Sequence, residues 1–310
     1  MDNMNIRTDK RANRKIEWTS ICKLLIFAAT VQLLSGCVKD DLYNTTHPDK
    51  GAVKITTDWS ELSSDAVIPD QYVLRIGTQE QTVSGETNTF GTLFAPGGQD
   101  LLIWHTAEGT TVSRTIATIN TLPDGTLEPT PHYLFSAARE LDIVKDDTLR
   151  ITVPMKQYIR RLVLTLKLNP GDEQRISSTA ATLTGIASAT NLATGELVGS
   201  EGKTVVPAFT LTTDADSPES RSTRQPVLSA TLYLMGVTTG EQQLLTLEIT
   251  LTGGDVHTVT TDLTEILKDF RTGDMEPLTL DAALSLPTEA EIGATITPWK
   301  EVNNGDINVN

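Results

Sequence analysis

Ile159-Arg160-Arg161-Leu162-Val163-Leu164-Thr165-Leu166-Lys167-Leu168 decides the fold class. Leu162, Leu164, Leu166 and Leu168 share one side and Arg161, Thr165 and Lys167 the other, a period of two that only an extended strand satisfies. The pattern recurs downstream at Thr179 to Ile186, Val205 to Leu211, Leu228 to Leu234 and Leu245 to Leu251. Gly253-Gly254 then joins the last of these to Val256 to Leu263 as a hairpin. Asp262 and Glu265 have capping-box spacing, which predicts a short helix over Leu263 to Phe270. Ile292 to Trp299 reads as extended, and the polar stretch Asp214 to Gln225, with Arg221 and Arg224, as a loop open to nicking.

Upstream, Val53, Ile55, Thr57 and Trp59 alternate with Lys54, Thr56 and Asp58, giving a first strand with one face in a core. Further strands are expected at Tyr72 to Ile76, Thr89 to Phe94 and Leu101 to His105, with a turn at Ala95-Pro96-Gly97-Gly98. His132 to Glu140 reads as a short helical or loop excursion. The chain has 310 residues, is 38% hydrophobic and carries 48 Thr, a β-branched residue suited to half-wet strands. The expected fold is therefore all-β, two tandem antiparallel β-sandwiches over residues 51–154 and 155–310.

Residues 1–36 have the layout of a secretory signal: six basic residues, Arg7 to Lys23, precede an apolar run from Leu24 to Leu34. That run is too short to span a bilayer, which takes about 20 apolar residues. It ends in Leu34-Ser35-Gly36-Cys37, which resembles the bacterial lipobox. The resemblance implies cleavage between Gly36 and Cys37 and acylation of Cys37, leaving residues 37–50 as a lipid tether. Val38-Lys39-Asp40-Asp41 resembles the Bacteroidetes lipoprotein export signal, and implies display on the outer face of the cell outer membrane through Lys39, Asp40 and Asp41. Removing the six basic and three acidic residues of 1–36 leaves 19 basic against 37 acidic. So acidic a chain is a poor partner for nucleic acid or an anionic lipid surface. Cys22 departs with the signal, so no intrachain disulfide is expected.

Catalytic motifs do not emerge. His47, His105, His132 and His257 lie far apart without a second ligand type at metal spacing, and no G-x-S-x-G, P-loop or G-x-G-x-x-G occurs. Asp214, Asp216 and Glu219 resemble the opening of a calcium loop, but Glu219 stands where the turn requires Gly. The chain is read as a non-enzyme without cofactor or metal. Trp59, Trp104 and Trp299 fall on expected strands, where core packing outweighs a role as sugar platforms.

Phe94-Ala-Pro-Gly-Gly-Gln-Asp-Leu-Leu-Ile103, Val153-Pro-Met-Lys156, Ala181-Thr-Leu-Thr-Gly185, Ala193-Thr-Gly195 and Ile296-Thr-Pro-Trp299 occur in the order that resembles the Bacteroidetes fimbrillin superfamily. The resemblance implies two transthyretin-like sandwich domains in an exported lipoprotein that builds or anchors adhesive fimbriae. It also implies that stalk subunits lose their lipid by cleavage after a basic residue, usually Arg, which opens a groove for a neighbour's strand. This chain has no Arg between Cys37 and Arg75, and only Lys39, Lys50 and Lys54 are available. The pattern is closest to a FimB-type anchoring or accessory subunit that keeps its lipid and joins other fimbrial subunits by strand addition. A host protein or glycan ligand is a further possible partner. The alternatives are a surface glycan-binding lipoprotein and a polymerising stalk or tip subunit; a hydrolase would need carboxylates or a His-centred triad converging in a cleft. The tail Lys300 to Asn310, with Val302, Ile307 and Val309 at alternate-pocket positions, is the end expected to meet a partner.

Overall fold

The computed structural model describes residues 48–212, 225–287 and 293–302. Strands are numbered β1 to β22 in chain order. The first half pairs a three-stranded sheet, β4 (Thr87–Thr89), β1 (Ala52–Asp58) and β9 (Thr148–Pro154), with a five-stranded one. The latter runs β10 (Lys156–Gln157), β8 (Phe135–Ile143), β5 (Gly97–Trp104), β2 (Tyr72–Ile76), β3 (Gln79–Val83). Val53, Ile55, Leu74, Ile103, Phe135 and Met155 fill the space between, all at most 1% exposed. Burying such a side chain stabilises by about 1.5–3 kcal/mol.

In the second half, one sheet runs β16 (Thr210–Thr212), β17 (Val227–Leu234), β11 (Arg160–Leu168), β20 (Leu278–Ser285), with the short β21 (Thr295–Ile296) and β22 (Lys300–Glu301) on the far side of β20. The facing sheet runs β15 (Lys203–Val205), β12 (Ile176–Ile186), β18 (Leu244–Leu251), β19 (Val256–Asp262). The leucines that announced β11 are the centre of this core, each fully buried against Leu232, Leu247, Leu280 and their neighbours. A third sheet draws on both sides of Pro154. In it β7 (Ile116–Ile119) pairs with β6 (Thr110–Ser113) and with β13 (Ala189–Asn191), which pairs in turn with β14 (Leu197–Val198).

The all-β expectation holds, and most neighbouring strands are antiparallel. Among the described residues two strand pairs are parallel, β1 with β9 over seven residues and β11 with β20, and Leu127 adds a single parallel bridge to Val205. Local patterning has no access to these pairings, because register between distant strands is set by the whole core. Residues 132–140 are corrected: Phe135–Ile143 is strand β8, not a helical excursion. Phe135, Ser136 and Ala137 are all buried there, so the alternation that marks a half-wet strand is lost. Gly97 and Gly98 belong to β5, opposite Ile143 and Asp142, rather than to a turn. Thr89 to Phe94 is a strand only at its start; beyond it Phe90 and Phe94 pack edge to face at 5.0 Å. Val205 to Leu211 is two strands in opposite sheets, β15 and β16, with Pro207 between them.

The hairpin β18–β19 appears as expected, whereas the helix after it covers only part of Leu263 to Phe270 and starts behind Leu263 without the capping box. The helix, α1 (Thr264–Leu267), is a single turn whose approach is fixed by Asp262, whose Oδ1 accepts the Thr264 N–H at 2.8 Å. The expected loop at 214–225 and the tail beyond Val302 lie outside the described residues, Gln225 apart.

Candidate functional site

The first strand, β1, is the element that the fimbrillin resemblance singles out, since stalk subunits of that superfamily are expected to open a groove there. Val53, Ile55 and Thr57 enter the core at 0%, 1% and 2% exposure, as their alternation demands. The backbone of β1 is paired on both sides. Toward β4, Lys54, Ile55 and Thr56 face Thr89, Asn88 and Thr87, and Val53 O and Thr57 N bond to Phe90 and Glu86, each at 2.9 Å. Toward β9, seven consecutive residues lie in parallel register, ending in Met155 N–H to Asp58 O at 2.8 Å.

Both ends are fastened. Gly51 exchanges two 2.9 Å bonds with Phe94, and Ala52 N–H donates to Asp147 O. A Cβ on Gly51 would meet Val144 O at 2.3 Å, so the close approach requires glycine. At the far end Trp59 donates its Nε1–H to Thr57 Oγ1 at 2.8 Å and meets Tyr72 and Phe135 edge-on. Next, Ser63 N–H and Oγ both reach Gln157 Oε1 at 3.0 Å, and Ser64 N–H and Oγ donate to the Glu276 carboxylate at 2.8 and 2.6 Å. Asp65 then accepts from the Tyr133 hydroxyl and sits 3.0 Å from Arg161 Nε. The Arg161 contact is close but out of line for a directed bond, since Nε has no hydrogen-bond partner. Burial, reinforced by the Asp65 carboxylate, pushes the Tyr133 phenol well above its ordinary value, so it remains a donor. The segment after β1 thereby ties the first strand to β11 and to residue 276 of the second half.

Beside this latch lies a groove of about 660 Å³, bordered by Val67, Ile68, Glu108 and His132. His105 is buried in it, stacks on Phe135 at 5.3 Å and accepts the Phe135 N–H at Nδ1. Burial lowers its pKa and keeps the ring neutral. Among the described residues, no three His, Cys, Asp or Glu are placed to hold a metal ion.

Gly36, Cys37, Lys39, Asp40 and Asp41 lie outside the described residues. Lys50 is exposed just ahead of β1, whereas Lys54 is inside it, opposite Arg150. Trp59 and Trp104 are core residues, and Trp299 is half-buried against the second core. The latch was invisible in the sequence because its partners are 94 and 212 residues away in the chain.

Packed antiparallel-rich sheets with an internal, doubly paired first strand define an all-β class in which that strand is integral to the fold. The chain belongs to the family of fimbrillin-A associated anchor proteins Mfa1 and Mfa2, whose family model matches residues 51–305. The fimbrial anchor protein Mfa2 from Porphyromonas gingivalis superposes with a TM-score of 0.57 at 8% identity, over 81% of this chain and 97% of that one. A putative adhesin from Bacteroides thetaiotaomicron gives 0.56 at 14% identity, over 84% and 100%. One from Bacteroides ovatus gives 0.55 at 11%, over 83% and 96%. At such identities the likeness is one of fold. No curated protein matches the chain.

Proposed function

We propose that this protein is a lipid-anchored subunit on the outer face of the outer membrane that keeps its own first strand and holds fimbriae to the cell. The observation that carries the reading is the state of β1, paired on both sides and fastened at both ends. Proteases bind their substrates as extended strands, and β1 has no free edge to offer one. Lys54 is withdrawn for that reason, and the chain has no Arg between Cys37 and Arg75. With β1 in place the first sandwich cannot accept a neighbour's strand, so the subunit ends a fimbrial chain rather than extending it. In this reading the signal is 1–36, the tether 37–50, and the sandwich domains 51–154 and 155–310. The subunit acts by binding, with no catalytic step or cofactor, in line with a family named for anchoring.

The test is the N-terminus of the mature protein on intact cells. An acylated Cys37 is expected, and Cys37→Ser abolishes labelling by a fatty-acid probe. A mature chain beginning after Lys50 in wild-type cells overturns the proposal.

A further inference from the structure

Sheet edges invite pairing with other chains, and natural sandwiches guard them with short strands, proline, lysine or side-chain caps. Most edges here are guarded in such ways. Gln81 of β3 accepts the Gly91 N–H at 2.7 Å, Arg139 caps the Thr152 carbonyl of β9 at 3.1 Å, and Leu127 N–H covers Thr204 of β15. β21 and β22 are two residues each with Pro298 between, and β4, β6, β10, β14 and β16 are at most four residues long.

Among the described residues, β19 has no such guard. It is seven residues of Val256-His257-Thr258-Val259-Thr260-Thr261-Asp262, in unbroken register with β18. The bonds flanking it, Leu251 N–H to Asp255 O and Leu263 N–H to Gln243 O, fix which residues point where. Odd-numbered residues of β19 bond to β18, so Val256, Thr258, Thr260 and Asp262 turn N–H and C=O outward. Among the described residues, no hydrogen bond reaches these outward backbone groups. β21 passes near β19 but pairs with β20 alone.

Charge selects the occupant. β12, β18 and β19 together contain no Lys or Arg; their exposed face carries Glu248 on β18 and Asp262 on β19, with Asp255 in the joining turn. Thr258, directly opposite Glu248, is small enough for a long basic side chain on an added strand to reach across it. A second copy of this chain would bring acidic faces together on a protein of net charge −15.

We propose that β19 is a docking edge, which takes an extended segment of a fimbrial partner, basic at alternate positions, as a fifth strand of its sheet. This rests on the anchoring reading above and adds the surface through which it works.

The probe is a capped seven-residue peptide of alternating lysine and valine, with its glutamate counterpart as control. Saturating lysine peptide should slow exchange of the Val256, Thr258 and Thr260 amides at least tenfold in the full-length protein, and the glutamate peptide should leave them unchanged. Thr258→Pro removes an N–H that bonds to nothing and should abolish the effect with the fold intact. If that variant does not fold, Thr258→Lys with Thr260→Lys serves instead, by repelling the basic strand. Cells carrying the variant at wild-type surface levels should shed fimbriae. Equal protection by both peptides, or a concentration-dependent dimer that Thr258→Pro breaks, overturns the proposal. Cells lacking the protein separate the two ideas. If these cells keep their fimbriae, the anchoring reading fails and this inference with it; if they shed them while Thr258→Pro cells do not, only the docking edge is wrong.

Discussion

Ile55→Ala tests whether β1 is held as firmly as its surroundings demand. Ile55 is 1% exposed at the middle of the strand, in the core formed with Leu74, Ile103 and Phe135. Truncating a buried Ile to Ala costs about 2–5 kcal/mol, the lost transfer energy plus that of the cavity left behind. If β1 opens as a local unit, its opening free energy falls by that amount. Amide exchange across 51–59 then accelerates roughly 30-fold to several thousandfold, since each 1.4 kcal/mol is a factor of ten. Hydrogen exchange read by mass spectrometry distinguishes this from general loosening, because Arg160–Leu168 should change little. Acceleration below threefold at 51–59, or an equal rise in β11, would refute the view that β1 is retained by its own packing.

Further outcomes follow from the same geometry. Gly51→Ala places a Cβ against the Val144 carbonyl, and should lower stability by about 1–3 kcal/mol in urea unfolding. His105 titrates below its ordinary value in the folded state, so the unfolded chain binds more protons as pH falls. Stability should therefore decline as pH drops below about 6.5 toward the lowered folded value, and His105→Gln should flatten that part of the profile. Replacing Lys39, Asp40 and Asp41 together by Ala should leave the protein in the membrane fraction but shielded from added protease. Wild type that is itself shielded would show that these residues do not direct surface display.

Strands with one wet face were legible in the sequence because alternation is a local property. β1, β2, β11, β17, β18 and β19 each start and end within a residue or so of their patterns. β20 alternates as cleanly, but its contrast is low: outward Ala283 is as apolar as inward Ala282. What escaped is non-local. The parallel partner of β1 is nearly a hundred residues away, and the covered start of β8 resembles no strand in isolation. The latch residues Ser63, Ser64 and Asp65 look like any polar turn. They acquire meaning only when the second half supplies Gln157, Arg161 and Glu276.

That latch and the parallel pairing bear on how an anchor carries load. If Cys37 is fixed in lipid, tension reaches the fold at the N-terminal end of β1. It leaves toward the second half through the C-terminal end of β9, which continues past Met155 into β10 and β11. Two parallel strands drawn from opposite ends slide along one another, so the bonds between Ala52–Asp58 and Thr148–Pro154 are strained together. An antiparallel partner in the place of β9 would present its near end to the pull, and its bonds could break singly, in sequence. The segment after β1 adds a second route, because Ser64 and Asp65 join the strand's far end to Glu276 and Arg161. Withdrawing β1 therefore requires its seven-residue register with β9 to yield together, after which the latch must also come undone. A subunit that surrendered its first strand to assembly would gain nothing from such fastening, whereas one that must remain attached under tension depends on it.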